Sequence, residues 1–88
     1  MAICRIYEVR GATLEQYDEV DKKFPDIPPG ARYHVAGSTG DTMYVIEVWE
    51  SREDVEKYMQ QIGPAIEQAG IPEPSVTEFE IHNEQRAG

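Results

Sequence analysis

The stretch Thr42-Met43-Tyr44-Val45-Ile46-Glu47-Val48-Trp49-Glu50 decides the fold. It is dense in β-branched and aromatic side chains, which marks a strand. Strand side chains alternate, so Met43, Val45, Glu47 and Trp49 share one side, and Tyr44, Ile46 and Val48 share the other. Both sides are mainly apolar. A sheet built on such a strand must be covered on both faces. Residues 31–37 read as the strand before it, joined through a short hairpin loop at Ser38-Thr39-Gly40-Asp41 whose glycine can take positive φ.

Working outward, residues 2–9 read as a first strand, with Cys4 and Ile6 against Ile3, Tyr7 and Val9. Thr13 and Gln16 have capping-box spacing and open a helix at Leu14, with Leu14, Tyr17, Val20 and Phe24 on its apolar side. Pro25 stops that helix, and Pro28-Pro29-Gly30 make a rigid turn. Ser51 and Asp54 cap a second helix whose apolar positions are Val55, Tyr58, Met59, Ile62, Ile66 and Ala69. Pro64 lies inside it, which predicts a kink or a break near Gly63. Gly70 ends the helix, and Pro72 and Pro74 lead to a last strand at about 75–82.

The order β-α-β-β-α-β predicts an α+β, ferredoxin-like fold: a four-stranded antiparallel sheet with both helices on one face. One domain spans 1–83, and residues 84–88 form a polar, frayed tail. Two helices cover one face only, so a second copy of the chain is the economical cover for the other. The size argues the same way. A chain of 88 residues buries only roughly 60–65% of its unfolded surface, and a lone monomer would be marginal. Burying apolar side chains at about 1.5–3 kcal/mol each repairs that deficit.

The composition narrows the remaining choices. Eight basic against 17 acidic residues leave a net charge of −9, which repels nucleic-acid backbones and anionic membranes. No apolar run reaches ten residues, so neither a membrane span nor a secretory signal is expected. Cys4 is the only cysteine, which rules out an internal disulfide and points to the cytoplasm. With only His34 and His82 beside it, a structural zinc site is not expected either. The expected partners are a second copy and a small apolar or neutral molecule.

His34 stands mid-strand between Tyr33 and Val35, and imidazole is the side chain best suited to move a proton near neutral pH. A strand histidine bonded to a neighbour is the plain alternative. Glu47, flanked by Ile46 and Val48, is costly to bury unpaired. With an even loop, cross-strand partners sum to 79: Arg32 faces Glu47, His34 faces Val45, and His34, Glu47 and Trp49 lie along one wall. An odd loop separates His34 from Glu47. An Arg32–Glu47 cross-strand pair is the plain reading here, worth roughly 0.2–1 kcal/mol. Tyr17, Tyr58, Met59 and Trp49 suit the lining of a pocket between helices and sheet, or equally a core. Tyr17 is favoured for the pocket, since a buried phenol needs a partner. Cys4 reads as a small core residue, and the acidic clusters on the helices as solvated faces.

Gly11-x-Thr13-x-x-x-Tyr17-Asp18, Pro29-Gly30-x-x-x-His34-Val35-Ala36-Gly37, Val48-Trp49-Glu50-Ser51 and Pro64-Ala65 with Gly70 carry a resemblance. Over residues 2–83 the chain resembles the dimeric α/β-barrel superfamily, in particular the small antibiotic-biosynthesis-monooxygenase-like proteins. The resemblance implies two sheets pairing as a barrel and a ligand held between helices and sheet. It also implies cofactor-free oxygenation, cyclisation or isomerisation of an apolar or aromatic metabolite. In such a reaction His34 moves a proton, Tyr17 and Glu47 orient the substrate, Trp49 forms the wall, and Tyr58 and Met59 help bind the ligand. A non-catalytic dimer that binds a ligand or stabilises a partner is the alternative. Haem degradation is a third reading, against which stands the lack of a histidine after Trp49 on the second helix. Fold alone does not choose among them.

Overall fold

The two helix starts are built by the residues whose spacing announces them. The Thr13 hydroxyl accepts the Gln16 N–H at 3.1 Å, and the Gln16 side chain accepts the Thr13 N–H at 2.9 Å, a complete capping box. Ser51 accepts the Asp54 N–H at 3.3 Å. A computed structural model of the chain describes residues 1–87. Its elements are β1 (Ile3–Arg10), α1 (Leu14–Lys23), β2 (Ala31–Thr39), β3 (Thr42–Trp49), α2 (Arg52–Gln68) and β4 (Ser75–Glu80). They form one sheet in the order β2-β3-β1-β4, antiparallel throughout. This is the ferredoxin-like arrangement that the element order predicts.

Both helices pack on the face that carries Ile3, Tyr7 and Val9 of β1 and Met43, Val45, Glu47 and Trp49 of β3. The core there has three parts. Trp49 and Ile3 pack with Val55; Val9 and Met43 pack with Ala12; Val20 of α1 meets Ile62 and Ala65 of α2. Gly70 follows α2 at φ +74°, a left-handed conformation that ends a helix with little strain only for glycine. The outer face has no such cover. Tyr33, Val35, Ile46 and Phe79 all stand exposed on it, Val35 at 60%.

Two expectations need correction. The hairpin turn is only Gly40-Asp41, because Ser38 and Thr39 extend β2. The loop is even, so the faces are as expected, but partners sum to 81 and His34 lies directly opposite Glu47. Arg32 sits at a register irregularity between Ala31 and Tyr33 and turns away from Glu47, bonding Glu50 at 2.7 and 2.9 Å and Glu84 at 2.6 Å. The second correction concerns Pro64: of the kink or break expected there, the break does not occur, and the helix runs unbroken for 17 residues. Proline removes one bond, to the carbonyl of Gln60. Val55, Ile62 and Ala65 are buried on both sides of it and pin the helix. The polar tail makes side-chain contacts back to β2 at Glu84 and Arg86. Glu84 holds Arg32, and the Arg86 guanidinium lies 5.4 Å from the Tyr33 ring centroid.

Candidate functional site

The helix-covered face should be the driest part of the molecule, yet one level of it is polar across all four strands. Glu78 of β4 pairs with Arg5 of β1, Arg5 pairs with Glu47 of β3, and Glu47 pairs with His34 of β2. Paired residues share a face, so this row lies on the helix side of the sheet, with Glu47 buried and His34 exposed on the edge strand. Its β4 end is an ion pair: Arg5 Nε lies 3.3 Å from Glu78, and Arg52 at the start of α2 reaches the same carboxylate at 2.9 Å.

The β2 end is a chain of hydrogen bonds. Glu47 is only 6% exposed. Its Oε1 accepts the indole N–H of Trp49 at 3.0 Å, and its Oε2 lies 3.2 Å from His34 Nδ1. The other ring nitrogen, His34 Nε2, lies 2.7 Å from the Tyr17 hydroxyl of α1. A carboxylate can only accept, so the network assigns the ring proton to Nδ1 and leaves Nε2 to accept from the phenol. Tyr17 keeps its proton: burial first, then the charges of Asp21, Glu47 and Asp18, raise its pKa. In the neutral ring this arrangement leaves Nε2 as the acceptor, aimed at α1.

Between sheet and helices lies an apolar cavity of about 210 Å³. Tyr7, Val45, Glu47 and His34 line it from the sheet, Tyr17 from α1, and Tyr58, Met59 and Gly63 from α2. A second cavity of about 360 Å³ lies on the other side of Tyr17, under the segment from Phe24 to Pro28. Tyr58 is pushed up to about 12 by burial and then by the charges of Glu47, Tyr17 and Asp21. Burial and Glu47 raise Tyr7 further, so both phenols stay neutral. The Tyr7 hydroxyl is buried close to Glu47, which adds to that rise.

The structure therefore brings His34, Tyr17 and Glu47 into one bonded chain, and places Tyr58 and Met59 on the cavity wall. Trp49 is placed otherwise. It is 1% exposed, packed on Ile3, Val55 and Tyr58, and lines neither cavity; it reaches the site only through Glu47. Sequence reasoning missed Arg5, Tyr7 and Gly63. Gly63 had a legible signal: a glycine inside a helix costs roughly 0.5–1 kcal/mol relative to alanine, so room is the natural reason to keep one. A Cβ built on it meets nothing within 4 Å.

These features define first a structural class, an antiparallel ferredoxin-like sheet with a pocket under its helices. Particular proteins share it. Over 98% of this chain and 100% of the other, the backbone matches Rv0793 from Mycobacterium tuberculosis at a TM-score of 0.78 and 13% identity. A putative antibiotic biosynthesis monooxygenase from Chloroflexus aurantiacus matches over 100% of both chains, at a TM-score of 0.72 and 20% identity. A variant of SnoaB, a cofactor-independent oxygenase from Streptomyces nogalater, matches over 94% of this chain and 95% of that one, at 0.72 and 10%. The chain thus has the fold of the antibiotic-biosynthesis-monooxygenase-like proteins that its motifs resemble. No family model matches the sequence. No curated protein matches it either. No helix among the described residues is long and apolar enough to cross a membrane.

Proposed function

We propose that this protein is a homodimer that binds an apolar or aromatic metabolite under its helices and transforms it by proton transfer, without a tightly bound cofactor. The observation that carries the reading is the bonded chain from buried Glu47 through His34 to Tyr17 at the wall of an apolar cavity. Glu47 holds the imidazole in one tautomer, as a carboxylate does for other catalytic histidines. His34 Nε2 takes a proton from an acidic C–H or O–H of the ligand, and the Tyr17 phenol donates to the ligand oxygen that gains charge. The enolate formed can be reprotonated elsewhere, which is isomerisation, or attack a carbonyl, which is cyclisation. It can also reduce O₂, keeping one oxygen atom and releasing the other as water. SnoaB and the Chloroflexus protein, both described as oxygenases, support the last route by analogy of fold alone.

A second reading is favoured by one detail: Tyr17 already occupies His34 Nε2, as it would in a module that binds without reacting. Haem degradation is the weaker third reading, since no histidine follows Trp49 on α2 and His82 is exposed beyond β4. The homodimer rests on the exposed apolar residues of the outer face, and the cytoplasm on the lone reduced thiol.

Incubation of the protein with cell extract in air, followed by metabolite mass spectrometry, tests the catalytic part. The wild type is expected to consume a metabolite that His34→Ala consumes about 10²–10⁴-fold more slowly, while melting at nearly the wild-type temperature. A variant that melts several degrees lower yet consumes it normally overturns the proposal.

A further inference from the structure

The two cavities share five lining residues: Tyr17, Val20, His34, Tyr58 and Ile62. The cavities adjoin at those side chains, two of which are joined by the Tyr17–His34 hydrogen bond, with Tyr17 on α1 and His34 on β2. Size makes the junction matter. The inner cavity, at about 210 Å³, is smaller than the roughly 300–1,000 Å³ of ordinary ligand sites. Joined to the outer one of about 360 Å³, it falls well within that range.

The outer cavity differs in charge. Asp21 and Asp26 line it, exposed and without an ion-pair partner among the described residues. Arg32 lines it too, but its guanidinium is committed to Glu50 and Glu84. A ligand entering from this side meets uncompensated negative charge before it meets the apolar chamber.

We infer that the two cavities are one ligand site, closed in the middle by the Tyr17–His34 hydrogen bond, and that its acidic mouth admits neutral or cationic molecules and rejects anions. The inference rests on the chamber reading above and adds an entry route, a latch and a charge class. Binding must break the latch. That exposes His34 Nε2 and frees the Tyr17 hydroxyl, so the base is uncovered only when a ligand long enough to span both chambers arrives. Smaller molecules leave the phenol on the imidazole.

Fluorescence titration at about 0.15 M salt tests this with two dyes of one skeleton: neutral phenylnaphthylamine and its anionic relative anilinonaphthalene sulfonate. The wild type is expected to bind the neutral dye saturably and at least about tenfold more tightly than the sulfonate. Tyr17→Phe removes the latch and keeps the ring, so the neutral dye should bind about 2–10-fold more tightly. Asp21→Asn with Asp26→Asn should bring the sulfonate to within about threefold of the neutral dye, by removal of the charge at the mouth. Glu53→Gln with Glu56→Gln removes the same charge from the exposed side of α2 and should change nothing. Unchanged or weaker binding in Tyr17→Phe overturns the latch, and equal effects of the two charge pairs overturn the acidic mouth. Gly63→Leu separates these failures from failure of the chamber itself. It fills the inner cavity and should abolish dye binding; full binding in that variant refutes the chamber and the latch together. Loss of binding in Gly63→Leu without any response in Tyr17→Phe refutes the latch alone.

Discussion

The two faces of the sheet come from the same strands and part in opposite directions from what solvation demands. The outer face is open to water and carries Tyr33, Val35, Ile46 and Phe79 exposed. The inner face is covered by helices and carries Glu78, Arg5, Glu47 and His34 in a row. Exposed apolar side chains on one face and a buried carboxylate, Glu47, on the other each cost stability in a chain this small. The outer face makes sense if a second copy covers it. The inner makes sense if the polar row works on something held in the cavity beside it.

The largest expected effect breaks the inner face at its core. Trp49→Ala removes the most buried large side chain and the donor to Glu47, and should cost about 3–5 kcal/mol, most of the stability of a small domain. Denaturant titration should show the cooperative transition weakened or gone. On the outer face, Ile46→Asp puts a charge at the centre of the exposed apolar patch without touching the cavity. Sedimentation should show a dimer in the wild type and a 10.0 kDa monomer in the variant. A wild type that sediments as a stable monomer at micromolar concentration removes the reason given for the outer face.

How far the sequence reaches differs between the faces too. Alternation in Met43–Trp49 shows that both sides of β3 are apolar, and the caps at Thr13 and Ser51 place both helices, because these are local effects. Register is not local. Ser38 and Thr39 look like loop residues but sit at the end of an edge strand, where their side chains face water. That alone moves the pairing by two and exchanges Arg32 for His34 opposite Glu47. The place of Arg5 beside Glu47 depends on β1 being inserted between β3 and β4, which no residue near Arg5 announces. Trp49 misleads for a different reason: an indole suits a pocket wall and a core equally, and only Val55 and Ile3 decide which.

Smaller effects sharpen the comparison. Tyr7, Tyr17 and Tyr58 all touch the inner site, and all have raised pKa values in the folded state. A phenol whose folded pKa lies above its unfolded value of about 10 contributes stability that is full below pH 10 and lost as pH rises through the folded value. Stability should therefore fall on the alkaline side, with Tyr58 ionising near pH 12, and ultraviolet titration should show late-ionising phenols that Tyr58→Phe reduces by one. The smallest effect is at the tail. Glu50 is held below its ordinary range by its hydrogen bonds to Arg32, so the pair should hold at neutral pH and loosen as pH falls through that lowered value. Because the pair is exposed, Arg32→Met should increase the mobility of residues 84–86, read by nuclear magnetic relaxation, with little change in melting temperature.

Native mass spectrometry of the protein purified gently from its own cells tests the central claim, that the polar row on the inner face serves a ligand chamber. The expected result is a dimer carrying a bound small molecule that Gly63→Leu, which fills the chamber and leaves the outer face untouched, no longer carries. A small molecule retained in full by the Gly63→Leu dimer, or a wild-type dimer that brings none out of the cell, would contradict it.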